Sequence, residues 1–514
     1  MKFYLLALVI VLNVSAFNIS ILKAQSKKYW IFLKDKQTTH YNYEQHLSRQ
    51  TITNRTLVGL PLWQETDIPV SSTYLNTLQN EGIKIVAISK WLNAVTAVLD
   101  EKQYHQISKL PFVASLRPVN TAIQVTKTNF FESTQEISYG TAIAQMNLQA
   151  FEKAGLNGDG VTIGVIDAGF YGAHLSDELQ DIEQRTLAQR DYLSPKNNLF
   201  KVSETSSDTH GATVLMMISG KSEKTQRGLA YKAKFYLART DHGDKEYRGE
   251  EDLWIMAMEW MDSVGVRIIN TSLGYALKHD DPKEDYSPLD MNGKTTVITK
   301  AAQIAADKKG MLLIVSAGNE GDEDTWGIIS APADAEGVLS VGATEENYAK
   351  ASYSSIGPNF ISYLKPNVSC FSRTGTSFSA PVITGFAACL MQKLPAASNK
   401  EIYALIEKSA SLYPYGNNYI GYGIPNCATA LALIDKKEPT SRPTFKQLKG
   451  KTEFALKIKG RGLKRGVVYH KLNERTVIEQ VRLRGVKRKI IVKKVDNAKF
   501  STVITDNGVT EIEW

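Results

Sequence analysis

The chain has 514 residues, 43% hydrophobic and 22% charged, which is globular composition with length for about three domains and excludes a disordered or fibrous chain. The net charge of +8 is unevenly placed: residues 436–514 carry 21 Lys and Arg against 8 Asp and Glu, the remainder 40 against 45, so only the tail is basic. Three cysteines, Cys370, Cys389 and Cys427, are too few for a disulfide framework and their spacing suits no zinc site.

In chain order, "MKFYLLALVIVLNVSAF" is one Lys followed by an apolar run, which reads as a secretory signal peptide. Small residues put cleavage after Ala16 or Ala24; Ala24 is preferred, giving a 1–24 leader and a protein exported to the medium or the cell surface. The run is short for a membrane span. From residue 27, "KKYWIFL" predicts a strand, "YEQHLSRQTI" a helix, and "SSTYLNTLQNEG" a helix opened by Ser and ended by Gly. "IKIVAISKW" and "AVTAVLD" are strands, "EKQYHQISKL" a helix and "FVASLRPV" a strand. Together they suggest a small α+β, ferredoxin-like unit over 25–125.

A polar stretch, "TKTNFFESTQEIS" (126–138), reads as a linker or processing region. Beyond it the pattern turns to α/β, with buried-type strands at 161–167, 233–238, 266–273, 311–318 and 338–343. Helical runs such as "HGATVLMMISG" and "TTVITKAAQIAADKKG" lie between them. Continuous apolar strands alternating with helices predict a parallel sheet covered on both faces, over 126–438. From "EPTSRPTF", short alternating segments predict a small β module over 439–514.

Functional residues of such a sheet collect beyond the C-terminal ends of its strands. "VTIGVIDAGF" ends in Asp167, "SDTHGATVLMM" puts His210 at a helix mouth, "LIVSAGNEG" carries Asn319 in a Gly-flanked turn, and "FSRTGTSFSAPVITGF" sets Ser377 at a second helix mouth. An acid, a base, an amide donor and a hydroxyl are the four roles of acyl transfer by a serine nucleophile. Ser Oγ needs a base to take its proton, the carboxylate fixes the imidazole tautomer, and the carboxamide donates to the oxyanion.

In this order the blocks resemble the subtilisin-like serine peptidases, or subtilases. The "DTHG" block sets the chain apart from sedolisins, which use Glu in place of His. The resemblance covers about 138–435 and implies a secreted endopeptidase acting on extended protein or peptide substrates. Asp167, His210 and Ser377 would be catalytic and Asn319 the oxyanion donor. Ser272, Leu273 and Gly274 would form one wall of the specificity pocket, and Ser316, Ala317 and Gly318 the other. Residues 25–125 would be an inhibitory prodomain removed by self-cleavage. No cofactor is needed for this chemistry; calcium stabilises many such enzymes, but the sequence offers no defensible ligand loop and no metal site is expected. Ala168 and Ala212 depart from the family, the first removing a hydroxyl that would support Asp167.

The glycines of "GLNGDGVTIGVIDAGF" precede the strand, which rules against a dinucleotide site. Glu320, with Asp322, Glu323 and Asp324, raises a preference for basic substrate side chains, although loops commonly carry such charge. His174, His242 and His279 have no metal-like partner and read as solvated. The basic run "RLRGVKRKIIVKK" has no interleaved aromatics, so nucleic acid is not an expected partner. A contact with the cell surface or secretion machinery, or a plain solvated face, is the reading there.

Overall fold

The computed structural model describes residues 26–38, 41–119, 138–241, 250–276, 286–439, 441–458, 465–483 and 489–514. The expected leader, the stretch 126–137, His242, His279 and the centre of the basic run lie outside them.

The first unit is a four-stranded antiparallel sheet of β1 (Lys27–Leu33), β2 (Ile85–Ser89), β3 (Ala94–Leu99) and β4 (Val113–Pro118) in the order β2-β3-β1-β4, the ferredoxin-like arrangement. Alternation in β1 sends Ile31 and Leu33 toward the unit's own helices and Trp30 to the opposite face. The helix expected over 43–52 is two helices, Tyr43–His46 and Arg49–Leu57, because the Ser48 side chain accepts the Thr51 N–H and caps a new start. Trp30, Trp91 and Ala94 pack on the helix Glu250–Ser263 of the next unit, so the sheet is covered on both faces.

The central unit is a parallel sheet of β5 (Thr162–Asp167), β6 (Thr186–Asp191), β7 (Lys234–Arg239), β8 (Ile268–Thr271), β9 (Leu312–Ser316), β10 (Leu339–Thr344) and β11 (Val368–Phe371), in the order β11-β10-β9-β8-β5-β7-β6. The expected five strands are all present. The two additional ones are the edges: β6 is half polar, and β11 has four residues, so neither carries a buried-strand pattern. The helix Ala380–Lys393 is buried from Ala380 to Met391, which is why "APVITGFAACLM" is apolar on every side. Cys370, Cys389 and Cys427 are free and buried.

The C-terminal module has five strands, β12 (Thr444–Gln447), β14 (Gly466–Lys471), β15 (Val477–Arg482), β17 (Phe500–Thr505) and β18 (Gly508–Glu513), in the order β12-β18-β17-β14-β15. A separate pair joins β13 (Glu453–Lys457) to β16 (Lys489–Lys493). Its core is shared with the central unit: Val467, Tyr469 and Ile504 pack with Ala349, Leu412 and Ile420, and the Tyr469 hydroxyl donates to the Tyr348 carbonyl at 2.8 Å. Among the described residues no helix is long and apolar enough to cross a membrane.

Candidate active site

β5 delivers Asp167 to the C-terminal edge of the sheet, where it is fully buried. Opposite it, the turn Ser206–Thr209, capped by Thr205 and Asp208 in a reciprocal box, hands the chain to the helix His210–Ser219. Two glycines let these segments touch. A Cβ on Gly169 would stand 2.6 Å from Asp208 Cα, and one on Gly211 would overlap the Gly169 carbonyl oxygen, which accepts the Gly211 N–H at 2.7 Å. The approach brings His210 Nδ1 to 2.6 Å from Asp167 Oδ1, both side chains out of solvent. Asp167 Oδ1 also accepts the Ala168 N–H at 2.8 Å, while Oδ2 is buried without a hydrogen-bond partner among the described residues.

Ser377 lies in the tight turn Thr376–Phe378 ahead of the helix Ala380–Lys393, with Pro381 in that helix's first turn. Its hydroxyl donates to the Ser272 carbonyl at 3.3 Å, and the Ser272 hydroxyl donates back to the Ser377 carbonyl at 2.9 Å. The structure therefore does not join Ser377 to His210: Nε2 of His210 is buried with no hydrogen-bond partner among the described residues, although the Phe378 ring lies 5.2 Å from the imidazole. On the other side, the Asn319 carboxamide oxygen accepts from the Thr376 N–H at 2.9 Å and its hydroxyl at 3.0 Å. A carboxamide held by its oxygen has its NH2 as the donor end. The Gly318 N–H donates to Thr376 Oγ1 at 3.2 Å, fastening the 318–319 turn to the serine's turn.

Ser272 and Gly318 thus flank the Ser377 turn, each at the end of its own strand. Ser316 is buried at the end of β9, and the Ala317 N–H donates to the Val341 carbonyl. The Leu273 side chain belongs to the core, so only its backbone can serve a ligand. Glu320 is turned inward: its carboxylate accepts from the Asn319 N–H at 2.9 Å and the Ser355 hydroxyl at 3.1 Å, and burial pushes its pKa up. His174 is half-buried beside Phe200 instead of solvated. Among the described residues no group of three or more His, Cys, Asp or Glu is placed to hold a metal ion.

The sequence reading missed Arg239, which ends β7 fully buried. Its Nε donates to the Ala168 carbonyl at 3.0 Å, and its other nitrogens reach Asp191 at 3.2 Å and Glu204 at 2.9 Å. It also contacts Asp208 Oδ1 at 3.0 Å, without hydrogen-bond alignment. One guanidinium thus ties the residue after Asp167 to the turn that carries His210. The only signal in sequence was a charge closing an apolar strand.

Residues 158–423 match the Subtilase family, and residues 28–135 match the Peptidase S8 propeptide domain, Bacteroidota. Subtilisin NAT of Bacillus subtilis subsp. natto is 26% identical over 422 residues, which span 79% of this chain and 99% of that protein. The thermostable alkaline protease of Halalkalibacterium halodurans is 25% identical over 342 residues, 64% of this chain and 82% of that protein. The crystal structure of the epidermin leader peptide processing serine protease from Staphylococcus aureus aligns at a TM-score of 0.56 and 15% identity, covering 80% of this chain and 100% of that one. At that identity the last is a likeness of fold.

Proposed function

The chain belongs to the subtilase family of serine peptidases, with an N-terminal propeptide domain, and from that premise we propose a secreted endopeptidase that cleaves extended peptide segments through an acyl-enzyme and matures by cutting itself. The observation that carries this reading is the buried 2.6 Å bond between His210 and Asp167 beside the Ser377 turn. Substrate binding moves the Ser377 hydroxyl from the Ser272 carbonyl to His210 Nε2. The imidazole takes the proton as Oγ attacks the scissile carbonyl, and Asp167 stabilises the cation formed. The carboxamide of Asn319 and the backbone N–H of Ser377 donate to the oxyanion. His210 then protonates the leaving amine, and a water, activated by the same imidazole, hydrolyses the ester. A fluorophosphonate probe applied to the processed protein labels Ser377 and abolishes peptide hydrolysis; failure to label an enzyme that still hydrolyses peptides would refute the nucleophile.

Inhibition by the prodomain rests on an acidic face of the helix Glu250–Ser263. Glu259 accepts from the Ser89 hydroxyl at 2.6 Å and from the N–H groups of Trp91 at 3.0 Å and Lys90 at 3.1 Å. Asp252 meets Lys28 at 2.7 Å and the Thr96 hydroxyl at 2.6 Å, and Asp262 meets Arg55 at 3.1 Å. Burial raises the Glu259 and Asp252 carboxyls, so both hold a proton more firmly in the complex than on the free enzyme. Their contribution is full below the ordinary carboxylate range and is lost as pH rises through the raised values. Asp67 runs the other way: burial pushes it up, but Arg55 and Lys309 bring it down to about 2. Its contribution is present above its ordinary value, hence constant from mildly acid to alkaline pH. Inhibition of the mature enzyme by added prodomain is therefore expected to weaken as pH rises from the ordinary carboxylate range through the raised values of Glu259 and Asp252. Glu259→Ala should weaken it about tenfold or more through three lost buried hydrogen bonds; an unchanged inhibition constant would remove Glu259 from the interface. For the C-terminal module the proposed role is attachment at the cell surface or to the secretion machinery, supported by its excess of positive charge.

A further inference from the structure

We infer that Ser330 closes the primary side-chain pocket of the cleft and restricts cleavage to bonds that follow small residues (glycine, alanine or serine), an inference that rests on Ser377 being the nucleophile. Residues 272–274 and 316–318 both run beside the Ser377 turn, fastened to it through Ser272 on one side and Gly318 on the other. A peptide whose carbonyl carbon meets Ser377 Oγ therefore sends the side chain of that residue down between these two segments.

Across the far side of that space runs the segment 328–331, bonded to both walls. The Ser330 N–H donates to the Ala317 carbonyl at 3.1 Å, and Tyr275 and Ala331 exchange both backbone bonds, at 2.8 and 3.1 Å. Ser330 is thus a crosspiece, and its side chain points back between the walls. A Cβ on Gly274 would overlap its hydroxyl, and one on Gly318 would stand 3.1 Å from it. The hydroxyl fills the gap that Gly274 leaves open, and over Gly318 it shares the space with Glu320 Oε2 and Ser355 Oγ, 2.6 and 2.9 Å from such a Cβ. It is 2% exposed and has no hydrogen-bond partner among the described residues.

Two consequences follow for what enters. An aromatic or long aliphatic side chain collides with the hydroxyl and offers it no hydrogen bond, whereas glycine and alanine stop short and serine can pair with it. The Glu320 carboxylate is engaged by the Asn319 N–H and the Ser355 hydroxyl and does not stand open to a basic side chain. The polar loop "NEGDED" therefore does not set the preference; the unmarked serine ten residues further on does.

The test uses the full chain, expressed and allowed to process, on matched peptides that differ only in the residue before the cleaved bond. The wild type is expected to show kcat/KM at least about tenfold higher after Ala or Ser than after Phe. Ser330→Gly should raise cleavage after Phe about tenfold or more while cleavage after Ala changes little, and Ser330→Thr should depress cleavage after Ser. A wild type that cuts after Phe as readily as after Ala overturns the inference, whatever the variants do. So does a Ser330→Gly enzyme with an unchanged ratio. Fluorophosphonate labelling run in parallel separates the two levels: labelled Ser377 with an unchanged ratio removes Ser330 alone, and unlabelled protein removes the nucleophile and this inference together.

Discussion

His210→Ala is expected to lower kcat by about six orders of magnitude, the loss that removal of the base brings to a subtilisin triad, and to leave the chain at precursor length. Without the imidazole the Ser377 hydroxyl is left with the Ser272 carbonyl among the described residues, a group that cannot take the proton away. KM should change little, because the walls at Ser272–Gly274 and Ser316–Gly318 are held by backbone bonds that do not involve His210. The two readouts are independent. Mass spectrometry of the expressed chain reports self-cleavage, which a single turnover satisfies, and peptide hydrolysis reports the rate. A His210→Ala chain that matures at wild-type speed would require another base. Asn319→Ala is the graded companion: an oxyanion donor is worth about 10²–10³ in kcat, so that precursor should mature slowly instead of not at all.

The residues of the proposed triad stood out in sequence because each role admits few residue types and because close approach forces glycines beside them. Gly169 and Gly211 mark the point where two segments 43 residues apart touch, and they stand in the "DAG" and "THG" blocks that drew attention to Asp167 and His210. Other features depend on partners that no local pattern encodes. Glu320 lies where the sequence puts it, but Ser355, 35 residues on, turns its carboxylate inward. The helix Glu250–Ser263 is readable from its apolar periodicity. That Asp252, Glu259 and Asp262 share a face says only that something positive or donor-rich lies opposite, and the prodomain supplies it from four separate segments. The edge strands β6 and β11 escaped because a strand with one neighbour and few residues need not be apolar. Ser330 escaped because a serine in a loop is the least informative residue there is, until the glycines opposite it are in place.

Arg239→Met should cost about 3–5 kcal/mol of stability and lower kcat with KM unchanged. The guanidinium meets three carboxylates, of which Asp191 and Asp208 are buried; methionine matches its bulk but leaves those two charges facing each other out of water. The penalty is that of uncompensated buried charge, which exceeds the net worth of the ion pairs themselves. Catalysis suffers through geometry, since Arg239 touches neither substrate nor imidazole. It holds the Ala168 carbonyl, one residue from Asp167, and the Asp208 turn, two residues from His210. Loosening both shifts the carboxylate against the imidazole, and an error of about 1 Å there is worth roughly 10²-fold in rate. Stability is best measured by denaturant unfolding in a Ser377→Ala background, where self-digestion cannot shorten the native lifetime, and kcat in the active background. Arg239→Lys decides between charge and shape. It keeps one positive charge but cannot fork to Ala168, Asp191 and Glu204 together, so it should recover more of the stability than of the rate. Equal recovery of both would mean that Arg239 only neutralises its carboxylates, and a Met variant with wild-type kcat would end its role in aligning Asp167 with His210.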